Sequence, residues 1–284
     1  MTNADQDYAF GNSVTGQRDR LRALEAVLDG GTFRRLTECG VGPGWRCLEV
    51  GAGAGSVATW LADRVGLDGS VLATDLDTTL LDDLVRPPLT VRRHNLMTDP
   101  LPEASFDLVH ARLLLAWLPD PAGALRRLVT ALKPGGWLVV EDLDFASAVP
   151  DPDMDPASAA LVARVVDAHT AVLAQRSGFD PAFGRRLRGL LEEAALLDVD
   201  TEGRASIWRG GEPGGELWRL TFNQLREPMV SAALVETTEV DRAIDLCRHG
   251  LSFLSPLAMT AWGRQPANMT DSSSSDRPAA AGRQ

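Results

Sequence analysis

The segment Leu48-Glu49-Val50-Gly51-Ala52-Gly53-Ala54-Gly55-Ser56 constrains the fold more than any other stretch of this chain. A short strand pattern, Arg46 to Val50, runs into three alternating glycines, and a helix pattern, Ser56 to Val65, leaves them. Glycines at such a turn let the backbone bend tightly and come within van der Waals contact of a ligand. The helix that follows offers unpaired amide donors and the positive end of its dipole. A nucleotide-containing ligand is therefore expected at this edge of a sheet.

Strand and helix signals continue to alternate. Val71 to Thr74, Leu89 to Arg93, Phe106 to His110 and Trp137 to Glu141 read as strands. Ala122 to Leu132 reads as a helix, closed by the turn Lys133-Pro134-Gly135-Gly136. This rhythm predicts an α/β fold, a doubly wound, mostly parallel sheet with right-handed crossovers. Arg18 to Leu36 carries leucines at helical spacing ahead of it. After Asp144 the rhythm changes to a helical insertion: Ala157–Arg176, Pro181–Ala195, Glu216–Arg226 and Val240–His249. Ala205 to Trp208 is the candidate sixth strand, and Leu251 to Trp262 contains a last one. The expected organisation is an N-terminal arm with helices over 1–38, then one domain over 39–267. Its substrate-binding helices fall at about 145–195 and 214–248. A Ser-rich tail, 268–284, is expected to be disordered.

Two acids flank the glycine turn. Asp75 ends the second strand, where a carboxylate can accept both ribose hydroxyls of an adenosine or cap a following helix. Glu49 stands two residues before Gly51. An anion there suits an ammonium group and is awkward beside a pyrophosphate. The spacing G-x-G-x-G also departs from the dinucleotide fingerprint G-x-G-x-x-G. With Tyr8 the single tyrosine and Lys133 the single lysine, no Tyr-x-x-x-Lys pair exists. An NAD(P)-dependent oxidoreductase is thus the weaker reading.

Four motifs in series now align with one family. Glu49 to Gly55 resembles motif I of class I S-adenosylmethionine (SAM)-dependent methyltransferases, and Thr74-Asp75-Leu76-Asp77 resembles motif II. Asn95, with Leu96 beside it, and Leu101 to Val109 resemble the third and fourth motifs; Leu132 to Leu138 resembles the turn into the fifth strand. The set is most similar to the UbiE-like, type 11 group, of the kind found among actinobacterial small-molecule enzymes. The resemblance implies a Rossmann-like, seven-stranded sheet whose last strand is antiparallel. It implies SAM as the methyl donor, S-adenosylhomocysteine as the product, and a cofactor set of Glu49, Gly51, Ala52, Gly53, Gly55, Asp75, Leu76, Asn95, Leu96 and His110. Within that set Glu49 and Gly51 face the methionine part, Asp75 the ribose and Leu76 the adenine. Asn95 stands where the family often has Asp. The fold also hosts proteins that do not methylate, which leaves a non-catalytic or rearranging role open.

Methyl transfer needs alignment and, for some acceptors, removal of a proton. His110 follows the fourth strand and can act as a base, hydrogen-bond the cofactor or be satisfied by backbone. Arg112 can clamp an acidic substrate or pair with an acid of the fold. Tyr8 and Phe10 lie on the arm, which in the resembling family often folds over the site. Phe145, His169, Phe179, Phe183, Trp208, Trp218 and Phe222 are candidate substrate contacts or core. Their rings suit an aromatic or hydrophobic small molecule, an indole for example, accepting at O, N or C.

A net charge of -11 argues against nucleic acid and anionic membranes. Cys39, Cys47 and Cys247 match no metal or redox spacing, and no ligand-spaced cluster calls for a metal. No apolar run approaches a bilayer span, and the N-terminus lacks signal-peptide character, so a cytoplasmic monomer or homodimer is expected. Cys247 and His249 are expected on a surface helix without a role.

Overall fold

The computed structural model describes residues 16–267. The expected arm, with Tyr8 and Phe10, and the expected tail lie outside them.

The elements in chain order are α1 (Gln17–Glu38), β1 (Arg46–Val50), α2 (Ser56–Val65), β2 (Ser70–Asp75), β3 (Leu89–Arg93), β4 (Phe106–Arg112), α3 (Pro121–Ala131), β5 (Leu132–Asp144), β6 (Val149–Pro150), α4 (Pro156–Ser177), α5 (Leu187–Glu193), β7 (Leu197–Arg204), β8 (Ile207–Arg209), α6 (Pro213–Ser231), α7 (Thr237–His249), β9 (Ser252–Leu254) and β10 (Leu257–Arg264). Seven strands form one sheet in the order β3-β2-β1-β4-β5-β10-β7. β1 pairs in parallel with β2 and β4, and β10 runs antiparallel to both β5 and β7. The strand order reverses between β1 and β4, which opens a crevice at their carboxyl ends. A second, three-stranded sheet, β6-β9-β8, lies outside the first.

Both faces of the central strands are dry, as their near-continuous apolar sequences require. On one face Leu48, Val109, Leu138 and Val140 join a core with α3, α4 and α6. On the other Cys47, Leu108 and Val139 pack with Val57, Leu61 and Val65 of α2. Phe33 of α1 stacks on Trp60 of α2 at 4.9 Å, and the Arg35 guanidinium lies 3.4 Å over the Trp262 ring of β10. α1 therefore spans from α2 to β10. Its buried positions include Gln17, Arg20 and Thr32, so part of the stripe that docks it is polar.

Several expectations are corrected. The sixth strand of the main sheet is Leu197–Arg204, whereas Ile207–Arg209 belongs to the small sheet. Leu197–Arg204 is an edge strand with little apolar sequence, so its pattern resembles a loop. Pro181–Ala195 is not one helix: a single-turn 3-10 segment, Phe183–Arg186, precedes α5. α4 is long and apolar enough to cross a membrane by length and composition. Leu161, Val162, Val165, Val166, Val172 and Leu173 bury its face in the core instead. Lys133–Gly136 falls inside β5 but still bulges, since Phe106 faces Leu132 and Leu108 faces Trp137. Cys247 is buried inside α7 rather than on the surface.

Candidate active site

The three glycines adopt φ of 71°, 58° and 90° at Gly51, Gly53 and Gly55, a region costly for residues with a Cβ. The turn is stapled to β2: Gly51 N–H and Ala52 N–H both donate to the Thr74 carbonyl, at 2.8 and 3.0 Å. Among the described residues, a Cβ on Gly51 would first meet the Leu114 side chain, at 3.4 Å, and one on Gly53 the Leu21 tip, at 3.8 Å. The face of the turn is thus bounded by movable leucines rather than backbone.

Asp75 reaches back to this turn. Its Oδ2 accepts from Gly53 N–H at 2.9 Å and its Oδ1 from Asp77 N–H at 3.2 Å. Each oxygen keeps a free acceptor site, enough for two hydroxyls. Burial pushes the carboxyl above its usual range, while the amides of Gly53, Asp77 and Leu76 oppose the rise. No helix begins at Leu76, so the helix-cap role does not arise; the Asp77 contact is a local Asx turn. Leu76 leaves 37% of its surface exposed beside this carboxylate. His94 N–H donates to the Asp75 carbonyl, which brings Asn95 alongside. The Asn95 side-chain oxygen accepts from Met97 N–H at 2.9 Å, and Leu96 is buried in the core.

Glu49 and His110 are register partners on β1 and β4. Both are buried, and Glu49 Oε2 lies 2.6 Å from His110 Nδ1. The carboxylate thereby orients the imidazole, and among the described residues the buried His110 Nε2 has no hydrogen-bond partner. Arg112 is fully engaged. It donates to Asp29 Oδ1 and Thr32 Oγ1 of α1, each at 2.9 Å. Thr32 in turn donates to Glu141 Oε2 at 2.5 Å, and Ser56, the first residue of α2, donates to Asp29 at 3.1 Å. Glu25 accepts from Ser56 N–H, and burial together with Asp29 pushes its carboxyl up. Of the two roles open to Arg112, the structure shows the pairing with an acid of the fold.

The predicted aromatic residues converge. Phe145 lies 5.4 Å from His169, 5.9 Å from Phe179 and 6.2 Å from Trp218 by ring centroids. Trp218 also meets Trp208 and stacks on Phe222. Phe179, Trp208, Trp218, Phe222 and His169 are buried, and Phe145 is half-buried. Phe183 is fully buried and belongs to the core. Burial holds the His169 imidazole down at about 3, hence neutral, and among the described residues the Trp218 indole N–H has no hydrogen-bond partner.

Sequence reasoning passed over the residues that knit these parts together. Leu21, Glu25, Asp29 and Thr32 sit on α1, where only the leucines carry a periodic signal. Leu113 leaves β4 at φ 55°, unusual for a leucine. The 3-10 segment Leu115–Trp117 follows it, and Trp117 packs on Phe179 at 4.6 Å. Asp142 on β5 accepts from Ala116 N–H of that segment at 3.1 Å and from Leu143 N–H at 3.0 Å. Burial pushes its carboxyl up to about 7, with Asp180 adding to the rise. Among the described residues no group of three or more His, Cys, Asp or Glu is placed to hold a metal ion.

Residues 48–140 match the family model described as "Methyltransferase domain". The chain is 35% identical to methyltransferase str2 of Strobilurus tenacellus over 57% of each chain. It is 28% identical to the ubiquinone/menaquinone biosynthesis C-methyltransferase UbiE of Vibrio vulnificus, over 70% of this chain and 84% of that one. The chain spans little more than half the length, 57%, of the first curated relatives it matches. Among solved structures, the YcgJ protein of Bacillus subtilis superimposes with a TM-score of 0.52 at 13% identity, covering 82% of this chain and 97% of that one. A Haemonchus contortus phosphoethanolamine N-methyltransferase gives 0.51 at 15%, covering 92% and 56%. At such identities these structures speak for the fold.

Proposed function

We propose that the chain, whose residues 48–140 match the methyltransferase domain model, is a SAM-dependent methyltransferase acting on a small aromatic or hydrophobic natural product. The observation that carries this reading is the glycine turn of β1 bound to the Asp75 carboxylate through Gly53 N–H. That arrangement fits SAM. The turn is flanked by the Leu114 and Leu21 side chains, Asp75 keeps acceptor capacity for a ribose, and Leu76 presents apolar surface for a base. Asn95 stands beside them with amide capacity toward the base. Glu49, through its field, favours the positively charged methionine end over a phosphate. Bound there, SAM supplies a methyl group activated by its sulfonium.

The chain's own part is positioning and exclusion of water. The segment Leu114–Trp117 spans from the glycine turn to the aromatic cluster. An acceptor held against the half-buried Phe145, which packs on Phe179 and Trp218, would then sit within reach of the cofactor edge of the sheet. The methyltransferase reading is supported by the likeness to str2, and the aromatic acceptor by the ring-lined cluster. Cytoplasmic location, and a small-molecule acceptor without nucleic acid or membrane, belong to the same proposal.

Calorimetric titration of the purified chain with SAM, S-adenosylhomocysteine and NAD tests the reading. Saturable binding of the first two and none of NAD is expected. Binding of NAD in preference to SAM would overturn it.

A further inference from the structure

Asp142 and Asp144 lie two residues apart on the same face of β5, yet they are treated differently. Asp144 Oδ2 is paired with Arg185 Nε at 2.6 Å. Asp142 is equally buried and, among the described residues, meets no cation. Its partners are two backbone amides, Ala116 N–H and Leu143 N–H. A buried carboxylate without a cation is costly, and such sites concentrate where proton transfer is needed.

Its surroundings place it between the two halves of the site. One short segment makes three contacts in succession: Leu114 covers Gly51, Ala116 donates to Asp142, and Trp117 packs on Phe179. Phe145, three residues beyond Asp142, joins Phe179, His169 and Trp218. The carboxylate thus stands where the glycine turn and the aromatic cluster meet.

We propose that Asp142 is the proton acceptor of the reaction and that the substrate is a hydroxylated aromatic, methylated on oxygen. This rests on the methyltransferase reading above. The acceptor oxygen forms a bond to the methyl carbon as the carbon–sulfur bond breaks. The electron pair of that bond stays on sulfur, and the hydroxyl proton passes to the Asp142 carboxylate. The products are the methyl ether, S-adenosylhomocysteine and a neutral carboxyl, which then releases its proton to water.

The groups around Asp142 favour this use. Asp180 repels its charge, and Arg186, which might have offset it, is paired with Asp180. Arg185 is held by Asp144, the segment Leu115–Trp117 brings no titratable group, and Met259 is the uncharged register partner on β10. His169 is held neutral. With the carboxyl pushed up to about 7, the acid and its base are both populated near neutrality.

The probe is 2-naphthol. In the full chain loaded with S-adenosylhomocysteine, the Asp142 side-chain carboxyl carbon is assigned by difference from Asp142→Asn in a ¹³C-aspartate spectrum. It is expected to titrate near neutral pH and to shift on adding 2-naphthol. In turnover with tritiated SAM, Asp142→Asn is expected to lose about 100- to 10,000-fold in kcat, with KM for 2-naphthol and Kd for SAM within about threefold. The acid limb of the wild-type pH profile should vanish, and Asp142→Glu should recover part of kcat. Titration in the ordinary carboxylate range, no response to 2-naphthol, or a variant that keeps kcat and its acid limb each overturns the inference. In those cases intact SAM binding by calorimetry leaves the methyltransferase reading standing. Loss of SAM binding by the wild-type chain would sink that reading instead.

Discussion

Replacing Asp142 by Asn should change stability with opposite sign at the two ends of the pH scale. The carboxyl rises from 3.8 to about 7 on folding, chiefly through burial. The native state therefore holds the proton more tightly than the unfolded chain, and stability falls as pH climbs from about 4 to about 7. A rise of that size corresponds to about 4 kcal/mol lost by the wild type above neutrality. Asparagine carries no charge and escapes this cost. It brings its own, because its amide donor must face one of the two backbone N–H groups that now point at the carboxylate. A donor left unmatched costs roughly 1–3 kcal/mol. Near pH 8 the variant should be more stable by roughly 1–3 kcal/mol, and near pH 4 less stable by a similar amount. Urea unfolding of both proteins at several pH values reads the difference directly. A difference independent of pH would refute the account, since it would mean that Asp142 is charged or neutral throughout.

Asp75→Ala should weaken SAM by about 1–3 kcal/mol, read by calorimetry, through loss of charge-assisted hydrogen bonds; an unchanged Kd would mean the carboxylate only holds the glycine turn. Gly53→Val meets nothing closer than the Leu21 tip, but forces a branched side chain to φ 58°. It should abolish measurable SAM binding and lower the melting temperature, and retained affinity would show that the turn is not the cofactor seat. Thr32→Val removes the hydroxyl shared by Arg112 and Glu141. It should cost roughly 1–3 kcal/mol in denaturant unfolding, with SAM affinity falling too if α1 braces the start of α2.

Much of the proposed cofactor half was legible because its contacts are local. The strands Arg46–Val50 and Leu89–Arg93 and the helix Ser56–Val65 have the bounds their patterns predict. Asp75 and the glycines meet because β1 and β2 are neighbours in a parallel ladder, which alternation alone implies. Pairs such as Glu49–His110 follow from adjacency of β1 and β4, a step the sequence pattern does not give without the family resemblance. The acceptor side was less readable. Leu197–Arg204 is too polar to announce a strand, and no spacing marks Asp142, because its character comes from burial without a cation. The aromatic residues were found as types, and only packing shows that Phe145, His169, Phe179 and Trp218 touch one another. The polar stripe of α1 lay hidden for the same reason: Asp29 and Thr32 read as solvent-facing until Arg112 and Glu141 are placed beneath them.

β10 runs against its neighbours, so the chain re-enters the main sheet from the same rim at which β5 leaves it. Nearly everything that shapes the acceptor side, from Phe145 to Phe253, lies between those two points, in two excursions separated by the return of the chain to the main sheet at β7. Such an excursion is modular: it can be lengthened, trimmed or exchanged while β1 to β4 keep their register. New acceptors would then arise by recasting one loop-to-loop span, with the nucleoside seat carried along unaltered.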